Sequence, residues 1–293
     1  MLQTYKHIRQ FAVLYLICFA GFFIWNLSFG LTFSQIRPVF FYNQLDLTGN
    51  IILFTNIHLY LLQSQVCRVI VDLIYFTLPI VTTILVIRQS RFQTPAAIVL
   101  VLFNIMYAYC FSITSSVSIK IMLAYMVVPF ALTFKKPKNF FLAVESIRLL
   151  FILFFFSTAL WKIRAGGIVN IDQMSGILLN QHNYLLVNNQ LGLFTQMTSY
   201  LIEHTGLAYS LYFAATMAEI IFVIGLFTKK YDRFLIILFL LFSGTNYLLM
   251  QINYFSWLPF LVCMYFAKFT TRGESEIPEH YISPVNYHGN GKS

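Results

Sequence analysis

Apolar residues run in long blocks along the chain, and short polar connectors separate these blocks. Most of the blocks approach the roughly 20 residues that a helix needs to cross the hydrocarbon core of a bilayer. We therefore predict an all-α fold, a polytopic transmembrane helical bundle of about eight spans. The predicted spans are residues 10–31, 68–87, 95–115, 118–134, 140–161, 207–227, 234–250 and 252–268.

Two connectors do not follow this simple pattern. Residues 50–66 are apolar but short, and Asn56 and His58 interrupt them, so this segment could be a re-entrant or an interfacial helix. Residues 162–206 alternate polar and apolar positions, as expected for helices that lie along a membrane surface or fold over the bundle. We predict that both connectors lie on the non-cytoplasmic face.

The composition agrees with a membrane location. Hydrophobic residues make up 59% of the chain and charged residues only 10%, which is too apolar for a soluble protein of 293 residues. We predict one transmembrane domain over residues 1–268. The remaining residues, 269–293, contain Gly, Pro, Ser and Asn and are expected to form a short, disordered cytoplasmic tail.

The formal charge of +9 comes from short basic clusters between the apolar blocks. Such clusters mark cytoplasmic loops, and we find no basic patch of the kind that binds nucleic acid, so no nucleic-acid partner is predicted. With both termini in the cytoplasm, every inner loop carries at least two basic residues. Thirteen of the 19 basic residues are then cytoplasmic: Lys6, Arg9, Arg88, Arg91, Lys135, Lys136, Lys138, Lys229, Lys230, Arg233, Lys268, Arg272 and Lys292.

Charged residues inside the apolar blocks are the first candidates for a functional role. Glu145 and Arg148 are three residues apart in the fifth span, so they lie side by side on one face of the helix. Unpaired, each would cost roughly 2.5 to 3.5 kcal/mol at the bilayer centre, so the pair is expected to face protein or water. It is either a structural ion pair, the interpretation we favour, or a proton or ligand site.

Glu219 lies about halfway along the sixth span and has no basic residue within four positions. Its partner must come from another helix, or its carboxyl stays protonated, so a proton carrier and a helix-to-helix hydrogen bond are both open. Lys162 follows Trp161 at the outer end of the fifth span. Such a lysine is typical of the membrane interface, but packed inward it could act as a base. Gly166 and Gly167 favour a chain reversal there.

Other polar residues carry weaker signals. Asp72, near the outer end of the second span, is expected to cap or pair locally, and Asn246, Tyr247 and Asn253 could line a pocket. His58, His182 and His204 share the outer face, but their wide separation does not match a metal-binding motif. No metal site is predicted.

The segment FFFSTALWKIRAGGI, together with residues 211–266 beginning LYFAATMAEIIFVIG, resembles the later half of the HTTM superfamily. The shared features are a span that ends in a lysine, a glutamate inside the next span, a short basic loop and a paired final hairpin. With the preceding VSIKIMLAYMVVPFALTFKKPKN, the resemblance covers about residues 115–268. This superfamily includes SdpB-like bacterial membrane proteins and the membrane region of vitamin K-dependent gamma-carboxylases. Small DoxX-like membrane proteins, linked to quinone redox chemistry, share a similar lysine-ended span.

The resemblance implies a function at the non-cytoplasmic face. In the carboxylases, a lysine at the position that matches Lys162 is the base that activates the reduced quinone, so a quinone or hydroquinone cofactor is an expectation here. Residues Lys120 and Asn246 stand where the family often has an acidic residue and a histidine. SdpB-like proteins help to mature and export a secreted peptide, which implies a possible maturation role.

Two functions are therefore predicted from the sequence. In the first, the protein is a processing, maturation or quinone-linked redox factor in which Lys162 is the base and Glu219 an internal proton carrier. In the second, it is a non-enzymatic scaffold or a subunit of a larger membrane complex, and the same charges hold helices together. Besides the lipid bilayer, a separately encoded membrane or secreted partner, protein or peptide, is expected in either case. The sequence leaves open whether any reaction is catalysed.

Overall fold

A computed structural model describes residues 2–37, 39, 50, 53–115, 122–188 and 192–269, and these residues form helices and connectors without a strand. The all-α prediction is therefore confirmed for the described part of the chain. Lys120 and the predicted tail beyond Phe269, with Arg272 and Lys292, lie outside the described residues.

The first half of the chain contains one long helix at each predicted span except the fourth. The helices are α1 (Leu2–Ser28), α2 (Ile57–Gln63), α3 (Gln65–Ile87), α4 (Gln93–Ser115) and α5 (Leu123–Val127), which continues as a 3₁₀ helix over Val128–Thr133. Helix α2 has seven residues, or about 10 Å, and is therefore too short to cross a bilayer.

The second half starts with the longest described helix, α6, and ends with a short one. The helices are α6 (Pro137–Arg164), α7 (Gln173–Asn188), α8 (Leu193–Glu203), α9 (Thr205–Ile221), α10 (Ile224–Phe227), α11 (Asp232–Met250), and α12 (Leu258–Phe266) after a 3₁₀ turn at Phe255–Trp257. Helix α6 begins with Pro137 in its first turn, where the missing N–H costs nothing.

Six segments of the described chain are helical, long and apolar enough to cross a membrane. They are Tyr5–Ser28, Gln65–Ile87, Gln93–Ser115, Pro137–Arg164, Thr205–Phe227 and Asp232–Met250. The predicted fourth and eighth spans correspond to the shorter apolar helical segments Leu123–Thr133 and Phe255–Phe269.

Both shorter segments run antiparallel to a long neighbour. Asn104, in the middle of α4, donates to Tyr125 O at 2.7 Å, and Thr94, at its start, donates to Thr133 O at 2.9 Å. The final segment follows α1 in the same way, because Trp25 packs on Phe255 and His7 stacks on Phe269. Each segment therefore leads the chain back toward the end of the bundle at which its neighbour begins.

The basic clusters gather at this same end. Residues from the ranges 5–9 and 86–93, together with Lys135, line one cavity there, and Lys135 Nζ donates to Arg91 O at 2.9 Å. Lys229 Nζ lies 3.5 Å from Ala267 O, which adds the loop before α11 to the group. We call this end of the molecule the basic end and the other, with the α6–α7 connection, the opposite end.

Asp72 holds a turn at the opposite end rather than pairing with its own helix. Its carboxylate accepts hydrogen bonds from Phe33 N, Ser34 N and the Tyr107 hydroxyl, at 3.2, 2.7 and 2.8 Å. Arg68, one turn earlier, instead donates to the backbone of α2 at Leu61 O. The prediction that Asp72 caps or pairs locally is therefore wrong, because its partners are backbone groups 38 and 39 residues away and a hydroxyl group 35 residues away.

Helices α7 and α8 fold over the end of α9. Met174 and Leu178 of α7, Leu201 of α8, and Ala208 and Tyr212 of α9 form a small buried cluster of their own. This arrangement places α7 next to the C-terminal end of α6, where Lys162 lies.

Candidate functional site

Lys162 and Glu219 come together at the opposite end of the bundle. Lys162 is in the last turn of α6 and Glu219 is near the end of α9, and Lys162 Nζ donates to Glu219 Oε1 at 2.7 Å. The Glu219 side chain is almost fully buried at 4% exposure, while 27% of the Lys162 side chain is exposed. The pair therefore joins a buried carboxylate to an ammonium group that remains accessible.

The second oxygen of the Glu219 carboxylate has spare capacity. Oε2 is buried and accepts no hydrogen bond from any residue in the described part of the chain. The Thr158 hydroxyl donates to Phe155 O at 2.7 Å and also lies near enough to the Glu219 carboxylate to stabilise its charge. A buried carboxylate oxygen without a donor is costly, which makes this atom a candidate for a bound water or ligand group.

Two glycines shape the chain next to Lys162. Gly166 has a φ of +74°, which a side chain rarely tolerates, and it ends α6. A Cβ atom on Gly167 would lie 2.5 Å from the Tyr212 hydroxyl oxygen, so only glycine allows Tyr212 to come this close. The Tyr212 ring lies 5.4 Å from Lys162 Nζ, within the range of a cation–π contact.

Lys162 faces a cavity of about 170 Å³. Its apolar wall comes from α7, α9 and α11, with Met174, Ile177 and Leu211 among its residues. Polar groups lie on the same wall, and they are Lys162, Tyr212, Thr245, Asn246 and Tyr254. The mixture suits a compact polar group attached to an apolar body.

A larger cavity of about 460 Å³ adjoins the first. Ile252 and Tyr254 line both cavities, and the larger one extends toward Phe22, Leu31 and Trp257. Of the three predicted pocket residues, Asn246 lines the smaller cavity and Asn253 the larger. Tyr247 lines neither of these two and packs against Trp25 and Phe255.

Glu145 and Arg148 belong to a second cluster toward the basic end. Arg148 is 1% exposed, and its Nε and Nη2 atoms donate to the two carboxylate oxygens of Asp232 at 2.7 and 2.6 Å. Its Nη1 donates to Glu145 Oε1 at 3.1 Å, and Nη2 also donates to the carbonyl oxygens of Gly225 and Thr228. Sequence reasoning missed Asp232, since an acidic residue that opens a helix looks like an ordinary terminal charge.

Two further residues complete this cluster. Lys229 Nζ lies 2.8 Å from Glu145 Oε2, close enough for an ion pair although not aligned as a hydrogen bond. A Cβ atom on Gly225 would lie 2.7 Å from Ile152 Cδ1, so a side chain there would crowd the carbonyl group that Arg148 binds. The cluster joins α6, α10 and the start of α11.

Aromatic side chains separate the two charged clusters. Arg148 and Lys162 are 14 residues apart on α6, or about 21 Å along the helix. Phe151 and Phe155 lie between them. Both rings pack on Phe222, at the end of α9, and on Phe239, in α11. All four side chains are at most 3% exposed. The Lys162 site therefore opens toward the opposite end of the bundle.

No group of three His, Cys, Asp or Glu side chains in the described part of the chain could hold a metal ion. No family model matches the sequence, and neither the curated proteins nor the solved structures include a match.

Proposed function

We propose that the chain crosses the membrane eight times, with both termini and the basic end in the cytoplasm. The gathering of the basic loops at one end supports this orientation, because cytoplasmic loops are rich in Lys and Arg. The antiparallel course of Leu123–Thr133 and Phe255–Phe269 along their neighbours supports counting both as spans. Helices α7 and α8 then lie at the non-cytoplasmic surface.

We further propose that the protein is an HTTM-like processing, maturation or redox factor that binds a quinone or hydroquinone at Lys162. One observation carries this proposal: an ion-paired lysine opens onto a cavity whose wall combines polar groups with apolar side chains. A quinone headgroup is compact and carries two oxygens, and Lys162, Asn246 and Tyr254 could bind them.

The chemistry follows from the ion pair. Moving one proton from the partly exposed Lys162 ammonium group to the buried Glu219 carboxylate converts the ion pair into a neutral amine and a neutral acid. The low local dielectric lowers the cost of this exchange, because it disfavours the charged forms. With a hydroquinone bound, Lys162 would be the base at its hydroxyl group and Glu219 would be the proton carrier.

The test is native mass spectrometry with lipid extraction on the purified full-length chain. We expect a stoichiometric quinone that is lost in Lys162→Ala. The matched control is Arg164→Ala, which also removes one positive charge, two residues from Lys162. The Arg164 side chain is exposed, packs on Trp161 and does not line the cavity. A bound quinone retained by Lys162→Ala, or absent from the wild-type protein, contradicts the proposal.

One observation favours the alternative, a scaffold or subunit of a larger membrane complex. Helices α7 and α8 carry a single charged residue, Glu203, yet they expose large side chains such as Tyr184, Val187 and Leu193 at 77%, 65% and 85%. A partner protein or peptide could cover them. In the same measurement, a partner polypeptide that binds in the absence of any small molecule supports this function.

A further inference from the structure

A fourth cavity lies at the basic end, far from Lys162 and separate from the one that Lys135 lines. It is an open groove of about 640 Å³ between the first half of α6 and the 3₁₀ helix Val128–Thr133. Phe130 and Phe134 form one side, and one face of α6 from Asn139 to Leu150 forms the other. Ala143 and Ser146 are small, so they leave room between the larger side chains on that face.

The dimensions of the groove fit one acyl chain. The first and last α6 residues that line it, Asn139 and Leu150, are 11 residues apart, or roughly 16 Å along the helix axis. The hydrocarbon core of one leaflet is about 15 Å thick, half of the whole core. Leu142 and Ser146 are exposed, so the groove opens to the side of the bundle, where lipid surrounds a membrane protein.

The charges at one end of the groove fit an anionic headgroup. Lys136 and Lys138 are exposed and lie in the chain between the lining residues Phe134 and Asn139. Neither ammonium group makes an ion pair or hydrogen bond with a described residue, whereas Lys135 is engaged with Arg91 O. The nearest acidic residue along α6 is Glu145, which is bound to Arg148 and Lys229.

We propose that this groove binds one phospholipid with an anionic headgroup, from the leaflet that meets the basic end. One acyl chain lies along α6 between Asn139 and Leu150, and the phosphate group lies near Lys136 and Lys138. Lysines near a membrane surface attract anionic lipids by about 1 kcal/mol each, which corresponds to roughly fivefold in affinity. The proposal does not depend on the function of Lys162.

The experiment reconstitutes the full-length chain in bilayers of phosphatidylglycerol and phosphatidylcholine with identical acyl chains, in equal amounts. After transfer to detergent, native mass spectrometry counts the lipids retained by each molecule. We expect one retained phosphatidylglycerol in preference to phosphatidylcholine. The preference should fall about fivefold for each lysine removed in Lys136→Gln and Lys138→Gln.

Matched variants separate the two parts of the site. Ser146→Leu fills the groove at an exposed position and should lower the retention of both lipids. Ser157→Leu, the same change at another exposed position of α6, and Lys230→Gln, in a different basic loop, should leave retention unchanged. A thermal unfolding curve for each variant shows that the fold is intact.

Several outcomes would overturn the proposal. Equal retention of the two lipids, or an unchanged preference in the Lys136→Gln/Lys138→Gln double variant, would show that the two lysines do not bind the headgroup. Unchanged retention in Ser146→Leu would show that the groove does not bind the acyl chain. Displacement of the lipid by soluble glycerol phosphate would identify a free phosphate site, and a dimer mass with no lipid would assign the groove to a second copy of the chain.

Discussion

Arg148 is the residue on which the charged cluster toward the basic end depends. Five hydrogen bonds link its guanidinium group to Asp232, Glu145 and the carbonyl oxygens of Gly225 and Thr228. Both carboxylates lie in the same buried cluster, so each needs this cation to offset the loss of water. The cluster therefore ties three helices together through one side chain.

Replacing Arg148 with Met should destabilise the protein by about 3 to 5 kcal/mol, since the carboxylates of Asp232 and Glu145 would lose a buried partner. Glu145→Gln should cost less, because the two bonds from Arg148 to Asp232 remain. Lys229→Gln should change the stability by at most about 1 kcal/mol, as the lysine is partly exposed. Unfolding in a titration with denaturing detergent, followed by circular dichroism, measures this order.

The prediction is the order of the three losses of stability, largest for Arg148→Met. If Arg148→Met unfolded at the same detergent concentration as the wild-type protein, the cluster would not have the structural role assigned to it. Lys162→Ala provides a comparison from the other cluster of charges, where the lysine is more exposed than Arg148.

The sequence could predict contacts within one helix, but it could not predict contacts between helices that are far apart along the chain. The spacing of three residues puts Glu145 beside Arg148 on any helix, so this contact follows from the sequence alone. The contact between Lys162 and Glu219 joins residues 57 positions apart, and it depends on how α6 and α9 pack. Nothing in the local pattern distinguishes Lys162 from a lysine at the membrane interface, because Trp161 stands beside it.

At the scale of elements, hydrophobicity predicted the long helices better than it predicted their interruptions. The predicted fifth span, residues 140–161, lies within α6 at Pro137–Arg164, and the predicted sixth, 207–227, lies within Thr205–Phe227. The apolar block 118–134 instead contains a short α-helix followed by a 3₁₀ helix with Pro129 near its start. Proline keeps a block apolar but removes a backbone donor, so hydropathy does not register the change.

Helix α7 contains a group whose charge should control how firmly it docks. The His182 ring is 6% exposed and packs edge-on against Phe194 of α8 at 4.9 Å. Its Nε2 atom has no hydrogen-bond partner among the described residues. Burial lowers the pKa of His182 below the ordinary value of 6.5, because the protonated ring would lose its water.

This lowered pKa makes the docking of α7 sensitive to acid. A detached α7 binds the proton more tightly than a docked one, so docking is fully favourable above about pH 6.5 and weakens as the pH falls toward the lowered pKa. Hydrogen exchange of the α7 amides, corrected for the intrinsic effect of pH, should show less protection at about pH 5.5 than at about pH 7.5.

Two variants identify the group that titrates. His182→Gln should remove the difference between the two pH values, while His204→Gln, at an exposed histidine after α8, should retain it. A difference that persists in His182→Gln would contradict the assignment to His182.

At the scale of the whole molecule, the arrangement of the two ends determines what each cavity can meet. The Lys162 cavity lies toward the end that holds α7 and α8, and the groove beside Lys136 lies toward the basic end and opens to the side of the bundle. The buried rings of Phe151, Phe155, Phe222 and Phe239 lie between the two charged clusters of α6. A ligand at Lys162 and a lipid at Lys136 would therefore belong to different leaflets.

The orientation of the ends can be tested with single cysteines in a background that lacks Cys18, Cys67, Cys110 and Cys263. The proposed eight spans, with both termini in the cytoplasm, place Asn170 outside and Lys136 and Lys230 in the cytoplasm. A membrane-impermeant maleimide added to intact cells should therefore label Asn170→Cys alone, and it should label Lys136→Cys and Lys230→Cys only after the membrane is permeabilised.

The same labelling decides whether the short segment Leu123–Thr133 crosses the bilayer. If the segment did not cross, the chain would remain outside after α4, and α6 would then run inward. Lys136→Cys would be labelled on intact cells and Asn170→Cys would be protected, the reverse of the expected result. We expect the crossing because residues 132 and 133 accept hydrogen bonds from Gln93 and Thr94, at the start of α4, which a segment confined to the outer surface could not reach.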